Sequence, residues 1–473
     1  MKMIKHNSID NSFDVQVRFF EDRYDVKVVV PINFGDVGSS LARCIVYPTG
    51  EKEVLVDLKT WENLVDEKRL MLILHEIGHC QLNRGHTNST SFNGTPFSIM
   101  NPYNHIIDLP EKIRILDTTL REGEQAPFVN FSVEQRIMLA RLLDEFGVNA
   151  IEISPIVSEN HRESTRLIMN ESLNAEIVHH LRALPRDIDI ALELDAESVA
   201  LFMSISDIHL ANKLRISREE AVERIISSVE YAKAHGLTVR FTLEDASRAD
   251  PEFLVHSARI AEDTGADRLS IPDTLGVLRP DGMYRMIRLV RDAVNIPLDV
   301  HCHNDLGLAL ANALAGIEAG ATQIHATIDG IGERVGITSL AEVVVSLYQL
   351  YGIHLDVKME LLTRISDLLH SFINIDLKDF RPIVGRNAFR HKSGTHLLAL
   401  LNNPASYEVI PPEFVGNRRR VLFGSFSGRN GVRILLQTLG VNVDDERAAQ
   451  IVAYLKKVSA GDLFEIEYNL PTR

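Results

Sequence analysis

The stretch Asp299-Val-His301-Cys-His303-Asn-Asp305 sets two imidazoles two residues apart. In a β-strand alternate side chains share a face, so Asp299, His301 and His303 point the same way, and the two rings can bind one divalent cation. Such a pair needs a third ligand. Far upstream, Asp117-Thr-Thr-Leu-Arg121-Glu122-Gly-Glu124-Gln125 ends a second predicted strand with a dense set of charged groups. If both strand ends meet at one mouth of a barrel, Glu122 completes the site. A separate candidate centre lies near the start of the chain. Apolar residues recur at helical spacing from Val65 to Leu82, and that predicted helix carries His75-Glu76-Ile-Gly-His79. Positions i and i+4 share a helical face, so His75 and His79 can hold zinc while Glu76 activates water. Gly85 turns the chain out of the helix, His86 is placed as a third ligand, and Ser98-Ile-Met100 has the look of a turn beneath a metal site.

The elements that must position these groups follow from periodicity. Residues 15–30 and 53–57 alternate apolar with polar side chains, as half-buried strands do. A new rhythm starts at Lys112. Short β-rich runs at 113–119, 148–155, 176–182, 198–204, 237–244, 267–273, 297–303 and 323–329 alternate with amphipathic helical stretches. That order predicts an α/β fold built on a (β/α)8 TIM barrel, whose chemistry belongs at the C-terminal ends of its strands. The polar residues cluster there: Arg121 and Glu122, His179 to Arg182, Arg240 to Asp245, Asp273 and Thr274, and the His301/His303 pair. A lone Arg or Glu at a strand end is ordinarily a salt-bridged rim residue, so it is their concentration at one rim that points to a site. Residues 358–373 read as helical and 430–473 as a small helical lid. The division expected is a small α+β zincin-like domain over 1–108, the barrel over 109–354, and C-terminal subdomains over 355–473.

With 473 residues, 45% hydrophobic and 24% charged, the chain has an ordinary globular composition. A formal charge of −15 and a pI near 5.7 argue against nucleic acid or an acidic membrane surface as partner and favour small metabolites. Cys44, Cys80 and Cys302 are too few and too scattered for a disulfide framework, which fits a reducing cytosol. No signal-peptide core and no membrane-spanning run is legible, so the expected location is cytoplasmic.

HEIGHCQLNRGH followed by SIMNPY resembles small bacterial metallopeptidases of the metzincin kind over roughly residues 35–105, with the third histidine one residue later than their usual spacing. ILDTTLREGEQ, DVHCHNDLGLALANALAGIEAGAT and DGIGERVGIT closely resemble the acyl-CoA 2-oxo acid synthases over about residues 112–435. That is the family of 2-isopropylmalate, citramalate and homocitrate synthases. Three features favour homocitrate synthase within it. Ile337 followed by Thr338 stands where isopropylmalate synthases usually end the motif with Asn. Arg240 on the inward face of the fifth barrel strand suits the distal carboxylate of a dicarboxylic 2-oxo acid. The segment FRHKSGTHLLALLNNPASYEVIPPE is similar to its counterpart in lysine-pathway homocitrate synthases.

The resemblance implies that Glu122, His301 and His303 hold a divalent zinc, manganese or magnesium ion. It implies that Arg121 binds the oxo acid's carboxylate beside the metal, that Gln125, Thr242 and Thr274 add hydrogen bonds, and that Arg240 with His180 takes the distal carboxylate. His396 and Tyr407 resemble residues that reach into the partner subunit's active site, which implies an obligate homodimer with a swapped C-terminal region. Ala200 stands where some homocitrate synthases carry an aspartate near the catalytic histidine. The reaction implied is a Claisen-type condensation of acetyl-CoA with 2-oxoglutarate to homocitrate and CoA, with His396 and Tyr407, or Glu244, moving the methyl proton. The alternatives are 2-isopropylmalate or citramalate synthesis, zinc peptidase activity in the N-terminal unit with the barrel as scaffold, and a non-enzymatic binding role for that unit.

Overall fold

The computed structural model describes residues 109–110, 112–374, 378–393, 396, 399–400, 403–423, 427–438, 440–457 and 464–467, together with three short strands near the N-terminus. Those strands are β1 (Ile32–Phe34), β2 (Ala42–Val46) and β3 (Lys52–Val56). They form one sheet in the order β1-β3-β2, with β1 parallel and β2 antiparallel to β3, and they belong to a separate compact unit. The alternation at 53–57 is therefore a strand. The predicted strand at 15–30, the helix at 65–82 and the residues His75, Glu76, His79 and His86 lie outside the described residues.

The expected barrel is present and closed. Its strands are β4 (Arg114–Asp117), β5 (Ala150–Ile153), β6 (Glu176–Arg182), β7 (Ser198–Ser204), β8 (Thr238–Glu244), β9 (Arg268–Asp273), β10 (Leu298–Cys302) and β11 (Gln323–Ala326). All pair in parallel, in the order β10-β11-β4-β5-β6-β7-β8-β9. Each begins within two residues of its predicted start. β4, β5 and β11 stop earlier than predicted, because Thr118, Ser154 and Thr327 already belong to the turns that carry polar groups to the mouth. Alternate residues such as Ile115, Val199, Phe241, Ile271 and Val300 are fully buried against the surrounding helices. The other set fills the barrel.

Local chemistry starts and stops the helices. Helix α1 (Val133–Phe146) opens on a capping box between Ser132 and Gln135. It ends at Gly147, φ 103°, where a Cβ would lie 2.7 Å from the Asp356 carbonyl, so no other residue fits. Ser158 caps α2 (Glu159–Met169), Pro185 begins α3 (Pro185–Leu192), Ser217 and Glu220 box α4 (Arg218–Ala234), and Asp250 caps α5 (Pro251–Asp263). The barrel helices continue with α6 (Pro280–Arg291), α7 (Ala309–Glu318) and α8 (Leu340–Tyr351), and α9 (Leu362–Phe372) follows the barrel.

Toward the C-terminus the purely helical lid expected over 430–473 needs correcting. Helices α10 (Arg429–Thr438) and α11 (Asp445–Leu455) are there. The chain then adds β14 (Phe464–Glu467) antiparallel to β13 (Arg420–Phe423), which pairs in parallel with β12 (Arg390–His391). The run FEIE alternates apolar and acidic residues, the two-residue period of a strand. No helix among the described residues is long and apolar enough to cross a membrane.

Candidate active site

Past Asp117, β4 gives way to a tight turn. The amides of Arg121 and Gly123 both donate to the Thr118 carbonyl at 3.1 Å, and the Thr119 amide donates to Asp117 Oδ1 at 2.8 Å. The turn leads into a short 3-10 helix, Gly123–Gln125, and leaves Glu122 only 2% exposed. On the far side of β11, β10 carries His301 inside the barrel and delivers His303 to its rim, where His303 bridges to Ile337. The two Nε2 atoms lie 3.3 Å apart, and His303 Nε2 is 3.9 Å from Glu122 Oε1. One ligand atom from each of Glu122, His301 and His303 lies within 4.8 Å of the other two.

The electrostatics suit a cation. Burial, reinforced by the neighbouring His303 and Arg121, holds His301 well below the ordinary histidine range. His303 is lowered by burial, with Arg334 and Arg121 acting in the same direction. Both shifts favour the neutral ring, which presents a lone pair. Two neutral imidazoles and a carboxylate converging on one point form a donor set that a divalent ion fits. Each Nδ1 is buried without a partner, so ring orientation comes from packing rather than from a hydrogen bond behind the ring.

Glu152, on the inward face of β5, organises the charges behind this centre. It accepts from Thr118 Oγ1 at 2.6 Å, from Arg121 Nε at 2.6 Å and from the Arg240 guanidinium. Burial opposes its charge, but Arg121 and Arg240 outweigh burial and hold the carboxyl well below its usual range. Arg121 also pairs with Glu122. Arg240 reaches within 3.3 Å of His325 Nε2, and that ring sits 3.2 Å from Asp299 Oδ2. Asp299 shares the inward face with His301 as expected, but it serves the barrel interior, accepting from Arg268 at 2.6 Å and Gln323 at 2.9 Å.

A cavity of about 320 Å³ opens over the centre. All the residues expected to bind substrate line it: Arg121, Gln125, His180, Arg240, Thr242 and Thr274. Glu244 joins them. His180 stacks on Phe202 with ring centroids 4.7 Å apart, and burial followed by the Arg121 charge holds it well below the histidine range. Arg240 Nε, Thr242 Oγ1 and Ser270 Oγ are buried with no partner, three polar atoms on adjacent strands. Thr274 Oγ1 accepts the Asp245 amide at 2.9 Å. Glu244 is held by Ser204 Oγ and by Lys213 Nζ at 2.6 and 2.7 Å.

His396 and Tyr407 do not line the cavity. Their rings stack on each other, centroids 3.9 Å apart, with Tyr407 46% exposed. Ala200, at the position where some homocitrate synthases carry an aspartate, packs with Leu116, Ala150 and Val178 in an apolar layer inside the barrel. Sequence reasoning passed over Glu152, Phe202, Lys213, Ser270 and His325, all part of the site or directly behind it. The one legible signal was Glu152, a charge in the otherwise apolar strand Ala-Ile-Glu-Ile.

Residues 112–369 match the HMGL-like family, and residues 383–462 match the homocitrate synthase post-HMGL domain-like family. Over 351 residues, 74% of this chain, the protein is 46% identical to a probable 2-isopropylmalate synthase of Methanopyrus kandleri, covering 70% of it. It is 45% identical to the homocitrate synthase AksA of the same organism, covering 88% of that protein and 74% of this one. The (R)-citramalate synthase CimA of Methanocaldococcus jannaschii is 45% identical over 74% of this chain and 71% of its own. In three dimensions the hydroxymethylglutaryl-CoA lyase from Pseudomonas aeruginosa shares the barrel, with a TM-score of 0.51 at 24% identity over 56% of this chain and 93% of the lyase. The two family matches lie within residues 112–462, so neither reaches the HExxH motif. Through residues 112–369, more than half of its length, the chain thus belongs to the HMGL-like family, beside relatives named as homocitrate, 2-isopropylmalate and citramalate synthases.

Proposed function

We propose that the chain catalyses a Claisen-type condensation of acetyl-CoA with 2-oxoglutarate to homocitryl-CoA, whose thioester bond water then hydrolyses to give homocitrate and CoA. The observation that carries the choice of oxo acid is the row of unpartnered polar atoms on β8 and β9, Arg240 Nε, Thr242 Oγ1 and Ser270 Oγ. Buried donors without partners cost free energy, and an anionic group at the far end of the substrate removes that cost. A branched alkyl end would leave all three unsatisfied.

A divalent ion held by Glu122, His301 and His303 would supply Lewis acidity toward the 2-oxo carbonyl. Arg121, fixed from behind by Glu152, offers its guanidinium to the adjoining carboxylate. His180 and Phe202, stacked together, wall one side of the oxo acid's path and keep water from it. Glu244 takes the proton from the acetyl methyl, with Lys213 Nζ beside it to balance the charge that moves. His396 and Tyr407 act from the partner subunit in a homodimer. That arrangement is supported by exposed apolar side chains on the loops round the mouth, Phe128, Val157, Ile208, Val277, Leu306 and Val335.

Incubation with acetyl-CoA and a panel of 2-oxo acids, following release of the CoA thiol, tests the proposal. Turnover with 2-oxoglutarate well above the others is expected. Preference for 2-oxoisovalerate or pyruvate would transfer the assignment to isopropylmalate or citramalate synthesis, and no release with any oxo acid would sink it.

A further inference from the structure

One buried carboxylate on the last barrel loop has no part in the chemistry above. Asp329 follows β11, is 2% exposed, and holds a left-handed conformation at φ 55°. A non-glycine residue keeps that conformation where its surroundings impose it. The imposing groups come from the helix that follows the barrel. Ser366 Oγ and His370 Nε2, one turn apart on α9, donate to Asp329 Oδ2 at 2.6 and 2.9 Å.

The loop that Asp329 opens then closes around the candidate metal ligands. The Glu333 amide donates to Glu122 Oε1 at 2.9 Å. The Gly336 carbonyl accepts the amide of Asn304, next to His303, at 2.9 Å, and Ile337 bridges to His303 itself. There is no slack in between. A Cβ on Gly332 would lie 3.0 Å from Glu122 Oε1, one on Gly330 would lie 2.8 Å from the Ile337 carbonyl, and the Ile337 amide donates to Gly330 at 3.1 Å. A segment packed this closely shifts as one body, so displacement at Asp329 reaches the Glu333 amide and through it Glu122.

We propose that Ser366 and His370 are positioning residues: through Asp329, α9 sets the orientation of the Glu122 carboxylate. The proposal rests on Glu122 being a metal ligand. It makes metal affinity depend on a helix that touches neither metal nor substrate.

The test uses the metal-free full-length protein, titrated with Mn(II) and followed by electron paramagnetic resonance, alongside amide hydrogen exchange at Glu333. His370→Ala removes a donor to Asp329, and His370→Gln restores a side-chain N–H. His370→Ala is expected to weaken Mn(II) binding about 10-fold or more, the effect of losing a partner that orients a ligand. Glu333 exchange is expected to accelerate even without metal, and His370→Gln is expected to recover both values most of the way. A folded His370→Ala protein with wild-type Mn(II) affinity and wild-type Glu333 exchange would overturn the proposal. If Ser366→Ala combined with His370→Ala does not fold, the comparison of the two single variants decides. Wild-type protein that takes up no Mn(II) would refute the metal site instead, while exchange at Glu333 would still judge the linkage from α9.

Discussion

Arg121 and Arg240, four strands apart around the barrel, donate to one buried carboxylate, that of Glu152. The shared anion lets two guanidiniums stand inside a low-dielectric cavity without driving each other out, and it fixes the distance between them.

Replacing Glu152 by Gln therefore takes the carboxylate from buried Arg240 and leaves Arg121 with Glu122 alone. Removal of one partner from a buried ion pair destabilises by about 3–5 kcal/mol. Urea unfolding of Glu152→Gln should show a loss of that order, together with a raised KM for the oxo acid. A change below about 1 kcal/mol would show that the two arginines do not depend on this residue.

Arg240→Met tests the distal carboxylate site. Turnover of 2-oxoglutarate should fall by about 10²-fold or more, since a charge-assisted pair is lost, while pyruvate turnover changes far less. The ratio of kcat/KM values is the measurement. An unchanged ratio would remove Arg240 from selection of the oxo acid.

Chelation should abolish CoA release, and divalent metal added back should restore it. Glu122→Gln, which keeps the size of the side chain and removes its charge, should weaken metal binding by at least about 10-fold in equilibrium dialysis. Activity that survives exhaustive chelation would end the metal-dependent mechanism.

His179, next to the cavity-lining His180 but on the outer face of β6, has neither ring nitrogen partnered, and burial lowers its pKa to about 4. The unfolded chain binds a proton there near pH 6.5, the folded chain only near pH 4. Its contribution to stability is thus fully present above pH 6.5 and is lost as the pH falls through that window, by up to roughly 3 kcal/mol. His179→Leu should flatten the pH dependence of stability between those limits. A difference between wild type and variant that does not vary with pH would refute this.

Phe128, 97% exposed and left-handed at φ 68°, sits on the loop after the Gly123–Gln125 turn. If the apolar rim is a subunit interface, Phe128→Asp should shift sedimentation toward monomer and lower turnover together. A wild-type protein that sediments as monomer at micromolar concentration would exclude the dimer.

Strand existence was legible because the barrel strands alternate buried residues with inward-facing polar ones, as Arg240, Thr242 and Glu244 do along β8. The candidate metal-ligand cluster was legible because each motif states its own geometry, a two-residue step at His301 and His303 and a turn after Asp117. Lys213 and His325 were not. Nothing in Leu-Ala-Asn-Lys-Leu or Gln-Ile-His-Ala marks them: the pairing of β7 with β8 brings Lys213 to Glu244, and closure of the barrel brings His325 to Arg240. The same holds for Asp329 and His370, 41 residues apart. The C-terminal sheet escaped because β12 has two residues and the alternation of β14 is a single short run in a stretch otherwise read as helical.

The barrel closes where β11, its last strand, inserts between β10 and β4, its first. Glu122 stands on one lip of that seam, and His301 and His303 on the other. During synthesis a nascent chain that has not yet emitted Gln323–Ala326 cannot bring the three together, however complete its other strands. Ion capture at the proposed site would in this way be a terminal event of maturation, reporting a finished cylinder rather than guiding its assembly.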